Sequence, residues 1–401
     1  MTTWTIIGGG LHAVTIAIKL RSLGLKASQL SIIDPNPNLC AQFDNFSQRI
    51  DMPYLRSPCV HHVHPNPFHL NQYAKKMHYT NAAYGQYKRP NRNMFMNHTH
   101  DLIHLYHLNS CHIQGYVNDI KKSKQQWHMQ LNNQSWISSD HVVVAFGCNH
   151  EIYVPKLFQN QPDISHIFEN EQNSYTTTSH VVGSGISAAH LTLRLLKENS
   201  NNQIHLWMNK TIDVHDFDAD TGWLGPKNMK KFSAMQSSID RLNTIKNERH
   251  KGSMPKELEL RLKKYIKDGR LKVHINEITD IVNHHICTDT YCIHYDHILL
   301  ATGFKETIMQ QPLIQQLIIE NQAPVSACGL PSITPSLEWL PNLYVSGGLA
   351  DLELGPFARN IMGGREASLK IGEAFEHKQY NKSQQYYYNC ESLNTKQSIG
   401  Q

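Results

Sequence analysis

Two short glycine-bearing segments hold the residue types that bind phosphate. The first, Gly8-Gly9-Gly10-Leu11-His12-Ala13, follows a strand-like Thr5-Ile6-Ile7 run and opens an apolar-periodic stretch, Leu11 to Leu23, that reads as a helix stopped at Gly24. A second strand, Leu30 to Ile33, ends at Asp34-Pro35, with Asp34 placed 26 residues after Gly8. This order has a chemical logic. Gly8 permits a tight turn, and Gly10 lets backbone approach a pyrophosphate seated on the helix start at Leu11 and His12. Ala13 lets helix lie close to strand, and Asp34 accepts hydrogen bonds from a ribose hydroxyl.

The pattern returns 175 residues later: His180-Val181-Val182 is the strand, Gly183-Ser184-Gly185-Ile186-Ser187-Ala188 the turn, and Ala189 to Glu198 the helix. Gln203 to Met208 is the next strand, and the position matching Asp34 is Asn209, followed by Lys210. An acid there would repel a 2′-phosphate, whereas Asn209 and Lys210 tolerate or attract one. The residues therefore predict FAD in the first unit and NADPH in the second.

Each unit is closed by a fully apolar run ending in glycine, as strands buried in a parallel sheet require. These runs are Val142 to Gly147 and Ile298 to Gly303, the latter passing through Thr302. The expected fold class is α/β, with two Rossmann-like dinucleotide-binding domains, the FAD domain discontinuous and the NAD(P) domain inserted. The expected boundaries are 1–150 for the first part of the FAD domain, 151–178 for a crossover linker, and 179–297 for the NAD(P)H domain. Residues 298–375 are the FAD-domain return and 376–401 a polar tail, expected to be partly disordered from about His377.

Composition sets the background. The chain has 401 residues, 18% charged, with a formal net charge of only +5, so neither nucleic acid nor a membrane surface is an expected partner. No apolar run reaches the roughly 18 residues of a membrane span. The eight cysteines are dispersed without a C-x-x-C spacing, which predicts reduced thiols and a cytoplasmic location. Histidine is abundant, with 26 copies, and clusters at His61, His62 and His64 and again at His98, His100, His104 and His107. Neither cluster joins cysteines or carboxylates in a metal spacing, so these read as structural or surface residues and no metal is expected.

With both turns and both closures placed, the chain resembles the two-dinucleotide-binding flavoproteins, and among them the flavin-dependent N-hydroxylating monooxygenases of the lysine and ornithine type. Four stretches carry the resemblance: Gly8 to Ala13 with Asp34-Pro35; Met52 to Pro58; Ala301-Thr302-Gly303-Phe304; and Leu343 to Gly348 with Leu354 to Asn360. It implies a flavin beside Met52 to Pro58, with Arg56 the candidate flavin- or NADP-proximal cation. It also implies a chain return in which Gly347, Gly348, Gly355 and Pro356 approach the cofactor and a helix starts near Phe357. Many such proteins carry Asp where this chain has Gly348, and the F-x-G-x-x-x-H signature of related monooxygenases is missing from residues 168–175. The implied partners are a small-molecule substrate and O₂. An NAD(P)H-dependent reductase serving a quinone, disulfide or other acceptor stays open, as does a non-catalytic nucleotide-binding sensor. Thr221 to Lys227 reads as a loop near the cofactor cleft, and Arg241 and Arg249 as solvated helix-face residues.

Overall fold

The computed structural model describes residues 2–169, 179–198 and 203–397, with side chains through Tyr380. Residues 170–178 of the expected linker and of the missing signature, and 398–401 of the expected tail, lie outside the described part.

Eleven strands build the two main sheets. In chain order they are β1 (Trp4–Ile7), β2 (Leu30–Asp34), β3 (His112–Gln114), β4 (His141–Val144), β5 (Ile164–His166), β6 (His180–Val182), β7 (Ile204–Trp207), β8 (Leu271–His274), β9 (Ile298–Leu300), β10 (Glu338–Leu340) and β11 (Leu343–Val345). The first sheet runs β10-β11-β4-β1-β2-β3, parallel except for the β10–β11 edge pair. The second runs β5-β9-β6-β7-β8 and is parallel throughout. Both share one plan, third–second–first strand and then the closing strand. The second sheet reaches outside 179–297, because β5 comes from the expected linker and β9 from the start of the expected return.

The central strands are buried along their whole length, which is why they read as largely apolar runs, with Thr5 and His141 the polar exceptions. Helix α1 (Leu11–Ser22) covers the first sheet and buries Ala13 through Ile18 and Leu20. It is hemmed in from the other side by α2 (Ile361–Gln397), whose Gly372 and Gly364 sit where any Cβ would come within 2.8 Å of Lys19 and 2.9 Å of His12. The backbone of α2 runs to Gln397, where a partly disordered polar tail was expected. It also starts at Ile361 and not near Phe357, because Gly355–Phe357 forms a separate 3₁₀ turn. A small antiparallel sheet pairs Gln126–Leu131 with Trp136–Ser139 and is extended to three strands by Val117–Ser123.

One cysteine expectation is corrected. Cys287 and Cys292 form a disulfide, because they face each other across the antiparallel strands His285–Cys287 and Cys292–His294. Cys40, Cys59 and Cys111 are free and buried, and Cys148 and Cys328 are free and partly buried. No helix of the described residues is long and apolar enough to cross a membrane.

Candidate functional site

At the first turn Gly8 has φ 111°, a left-handed conformation that favours glycine, and a Cβ there would lie 2.6 Å from the Ala145 carbonyl oxygen. The turn is tied to β2 by Gly8 N–H donating to the Ile33 carbonyl at 2.7 Å and Gly9 N–H donating to Asp34 Oδ2 at 2.6 Å. Asp34 Oδ1 accepts from the Asn36 backbone and side chain at 2.9 and 2.8 Å. A carboxylate offers about four lone-pair sites, so Asp34 keeps acceptor capacity for a ribose hydroxyl. Gly10 has nothing within 4 Å of its Cβ position and caps α1 without a side-chain bond, so the space beside the helix start is open at this glycine. Ala13 is wholly buried, as the close helix packing requires. A cleft of about 120 Å³ lies beside this turn, bounded by Gly8, Asp34, Pro35, Tyr116, Phe146 and His150. The residues present fit a dinucleotide: an open glycine at a helix start, an acid at the neighbouring strand end, and a cleft between them.

The second turn repeats this geometry. Gly183 has φ 154°, its Cβ position lies 2.5 Å from the Ala301 carbonyl oxygen, and its N–H donates to the Trp207 carbonyl at 2.9 Å. Each first glycine thus faces the end of its own closing strand. Ser184 takes over the tie that Gly9 makes to Asp34. Its Oγ donates to Asn209 Oδ1 at 2.6 Å and accepts from Asn209 N–H at 3.1 Å. Ile186 starts the helix, α3 (Ile186–Glu198), earlier than expected, and Ala188 is buried against the strand. Lys210 is partly exposed, but its ammonium already serves Asp213 at 3.1 Å and the Lys251 carbonyl at 2.7 Å. Its expected role at a 2′-phosphate is therefore shared with anchoring the 249–253 loop.

Among the closing and return residues, Thr302 Oγ1 donates to the Tyr153 carbonyl, and the Gly303 carbonyl accepts from Tyr153 N–H at 2.9 Å. Gly147, at the end of the first closure, has open space at its Cβ position. The Cβ position of Gly347 lies 3.8 Å from His12, and Gly355-Pro356 begins the 3₁₀ turn, with the Cβ position of Gly355 3.1 Å from Met229. The departure at Gly348 has a steric reason: a Cβ there would sit 2.5 Å from Cys148 Sγ, so the thiol fills the space of the usual side chain.

Arg56 is not a free cation. Its guanidinium donates to Asp218 Oδ1 at 2.5 Å, to Ser253 Oγ at 2.8 Å, and to the carbonyls of His215, Asp216 and Phe217 at 2.7, 3.2 and 2.8 Å. Burial and nearby Arg89 lower its pKa while Asp218 and Asp216 oppose that shift. Its contacts make it a clamp between the Met52–Pro58 segment and the second unit, a role invisible in sequence because its partners lie some 160 residues away. Arg241 is corrected too: it is largely buried, with Nη1 donating to Glu353 at 2.8 Å and to the Leu352 carbonyl at 2.9 Å. Trp223, in the loop expected near the cleft, packs with Phe232 and Phe357 and donates to Glu248 at 2.8 Å. Asp351 is fully enclosed beside Arg359 at 2.7 Å; burial pushes its carboxyl up against the downward pull of that guanidinium. Among the described residues no group of three or more His, Cys, Asp or Glu is placed to hold a metal ion.

Residues 5–149 match the family model described as FAD-NAD(P)-binding. The ornithine N-hydroxylase of Kutzneria sp. 744 superposes with a TM-score of 0.72 at 13% identity, over 94% of this chain and 100% of that one. The chain has the two-domain Rossmann-type flavoprotein fold. The ornithine hydroxylase of Pseudomonas aeruginosa gives a TM-score of 0.71 at 12% identity, over 93% of this chain and 98% of that one. The bacillithiol disulfide reductase of Staphylococcus aureus gives 0.62 at 14% identity, over 94% and 98%. No curated protein matches.

Proposed function

We propose that the chain is an FAD-dependent oxidoreductase that takes hydride from NADPH and uses O₂ to hydroxylate a small molecule. The observation that carries this reading is the matched pair of strand–glycine–helix turns, each closed by its own strand and each with a second glycine beside a helix start. Bound FAD supplies the hydride acceptance and oxygen chemistry; the protein supplies binding, orientation and exclusion of water. Gly8, Gly10, Leu11 and His12 would hold the pyrophosphate, with Asp34 orienting the ribose. Gly183, Ser184, Gly185 and Ile186 would hold NADPH, with Asn209 and Lys210 beside the 2′-phosphate. Thr302, Gly303, Gly347, Gly348, Gly355 and Pro356 would shape the return side of the cleft. The Kutzneria relative, whose structure contains reduced FAD, NADP⁺ and L-ornithine, supports an amine as the first substrate class to screen.

A reductase is the second reading, favoured by the likeness to the bacillithiol disulfide reductase. Against it, the first unit offers no paired thiols among the described residues, and the one disulfide lies in a small sheet of the second unit.

The test combines a variant with flavin absorbance. Gly10 has φ −74° and room for a methyl group, so Gly10→Ala folds like the parent. It should nevertheless weaken FAD by at least about tenfold, because the methyl enters the pyrophosphate's approach. NADPH added without oxygen should bleach the parent's flavin, and admitting air with an amine should yield hydroxylated product. Unchanged FAD affinity in Gly10→Ala would remove the first site. Bleaching followed only by stoichiometric peroxide, whatever amine is offered, would move the assignment to a reductase.

A further inference from the structure

A chain of polar contacts with Asp218 at its centre runs from the first glycine turn to the 250–253 loop, which packs on the second turn. At the first turn, His12 Nε2 lies 2.7 Å from the Asn360 carbonyl oxygen and Nδ1 lies 2.9 Å from Ser346 Oγ. A carbonyl only accepts, so Nε2 carries the proton and Nδ1 accepts from the serine hydroxyl. Burial lowers the His12 pKa, which keeps this single tautomer at neutral pH. Asn360 reaches the other way with its side chain, Nδ2 donating to Asp218 Oδ2 at 2.8 Å. Asp218 Oδ1 accepts from Arg56, which donates in turn to Ser253 Oγ at 2.8 Å. Ser253 Oγ donates to the His250 carbonyl at 2.6 Å, and between these two residues Gly252 Cα lies 3.5 Å from the Cβ position of Gly185 in the second turn.

We propose that Asp218 is a positioning residue that couples the two nucleotide sites, so that filling one tightens the other. The proposal rests on the reading that both turns hold dinucleotides. A nucleotide on α1 orders His12 and the Ser346–Asn360 return. Through Asp218 that order reaches the 250–253 loop, which lies on the second turn. A ligand arriving there then meets a loop already set, and the ordering cost it would otherwise bear is reduced. Asp218 is the joint because it is the residue in this chain that links Arg56 to Asn360. Arg56 keeps three backbone carbonyls without it, so the Met52–Pro58 segment remains docked.

The two donors sit on different oxygens of Asp218, which makes the isosteric change informative. In Asp218→Asn one oxygen becomes an NH₂ that must face a donor, either Arg56 or the Asn360 amide. The double variant Asp218→Asn/Asn360→Asp restores a donor–acceptor match on that side. Asn360→Ala breaks the same link from the other end and leaves the backbone carbonyl that His12 uses.

The experiment measures the FAD dissociation constant of the full chain by flavin fluorescence, with and without saturating NADP⁺, which binds without turnover. In the parent, NADP⁺ should tighten FAD by roughly fivefold or more. In Asp218→Asn and Asn360→Ala that factor should fall toward one, and in the double variant it should return. A purely structural role would shift both affinities alike and leave the factor in place. If NADP⁺ binds the parent but leaves FAD affinity unchanged, or if Asp218→Asn keeps the full factor, the coupling is wrong while the two-site reading stands. If NADP⁺ does not bind the parent at all, the two-site reading and the coupling fall together.

Discussion

Lowering the pH from about 7.5 to about 5 should destabilise this chain by several kcal/mol, because it buries neutral imidazoles that the unfolded chain would protonate. His62 and His98 are 0% and 1% exposed, with ring centroids 5.2 Å apart. His69 Nδ1 is 2.8 Å from His98 Nε2, and Arg365 donates to the carbonyls of His62, His64 and Pro65. Burial first, then the charge of Arg365, brings His62 down to about 3. Burial, then repulsion from His62, His69 and His64, brings His98 down to about 2. Both folded values lie below the ordinary histidine value of 6.5, so the stability is fully present above that pH and is lost as pH falls toward the folded values. From 6.5 to 5, each histidine that stays neutral in the fold costs about 2 kcal/mol, so the pair costs about 4 kcal/mol. Set against a typical total of about 5–15 kcal/mol, that is a large fraction. Urea unfolding followed by circular dichroism at the two pH values measures it. His98→Phe should remove about 2 kcal/mol of the pH-dependent part, whatever it does to absolute stability, and leave the rest, because burial also holds His61, His166, His180 and His190 neutral. A parent whose unfolding free energy changes by less than about 1 kcal/mol would refute the argument, since neutral burial of these two rings could not then hold.

Two further outcomes follow from the ion pairs. Arg89 and Glu257 pair across the seam with side chains 6% and 12% exposed, so Glu257→Ala leaves a buried guanidinium without its counter-charge and should cost about 3–5 kcal/mol by thermal denaturation. Arg89→Met/Glu257→Leu should recover most of that loss; a single-variant cost under about 1 kcal/mol would mean that water already screens the pair. At the second turn, Asp213→Asn frees the Lys210 ammonium and removes a charge that repels phosphate. It should raise the preference for NADPH over NADH by about two- to fivefold in KM, and an unchanged ratio would take Lys210 away from the 2′-phosphate.

What could be read from sequence is what short-range geometry dictates. Gly8 and Gly183 are legible because a left-handed turn pressed on a carbonyl excludes side chains, and β1, β4, β6 and β9 because strands buried on both faces are apolar but for Thr5, His141 and His180. The partners of Arg56, Arg241 and His12 were not legible, since they lie more than 100 residues away and guanidinium or imidazole contacts leave no periodic trace. The Cys287–Cys292 bond had a signal that spacing rules for thiols miss. His285-Ile286-Cys287 and Cys292-Ile293-His294 are mirror images, and a hairpin folded on that symmetry pairs each residue with its own kind. The Ser184–Asn209 tie was half visible: Asn209 was identified as the replacement for an acid, but not that serine replaces a glycine N–H as its donor.

The two turns are finished in different ways. The first turn borrows Ser346 and Asn360 from a return that reaches it only after the second unit has been built, and His12 fixes both. The second turn is covered by a loop whose Ser253 is held by Arg56 from the first unit. The first site is thus finished by the returning chain of its own unit and the second by a side chain from across the seam, and the seam itself is fastened by guanidinium groups bound to backbone carbonyls as well as to carboxylates. Carbonyl contacts of this kind tolerate little sliding, because several acceptors must stay in the plane of one rigid fork. An enzyme that had to rotate one unit away from the other in every cycle would break five Arg56 bonds and the buried Arg89–Glu257 pair each time. For the oxidoreductase proposed above, these contacts would hold the two glycine turns in fixed relation through the cycle.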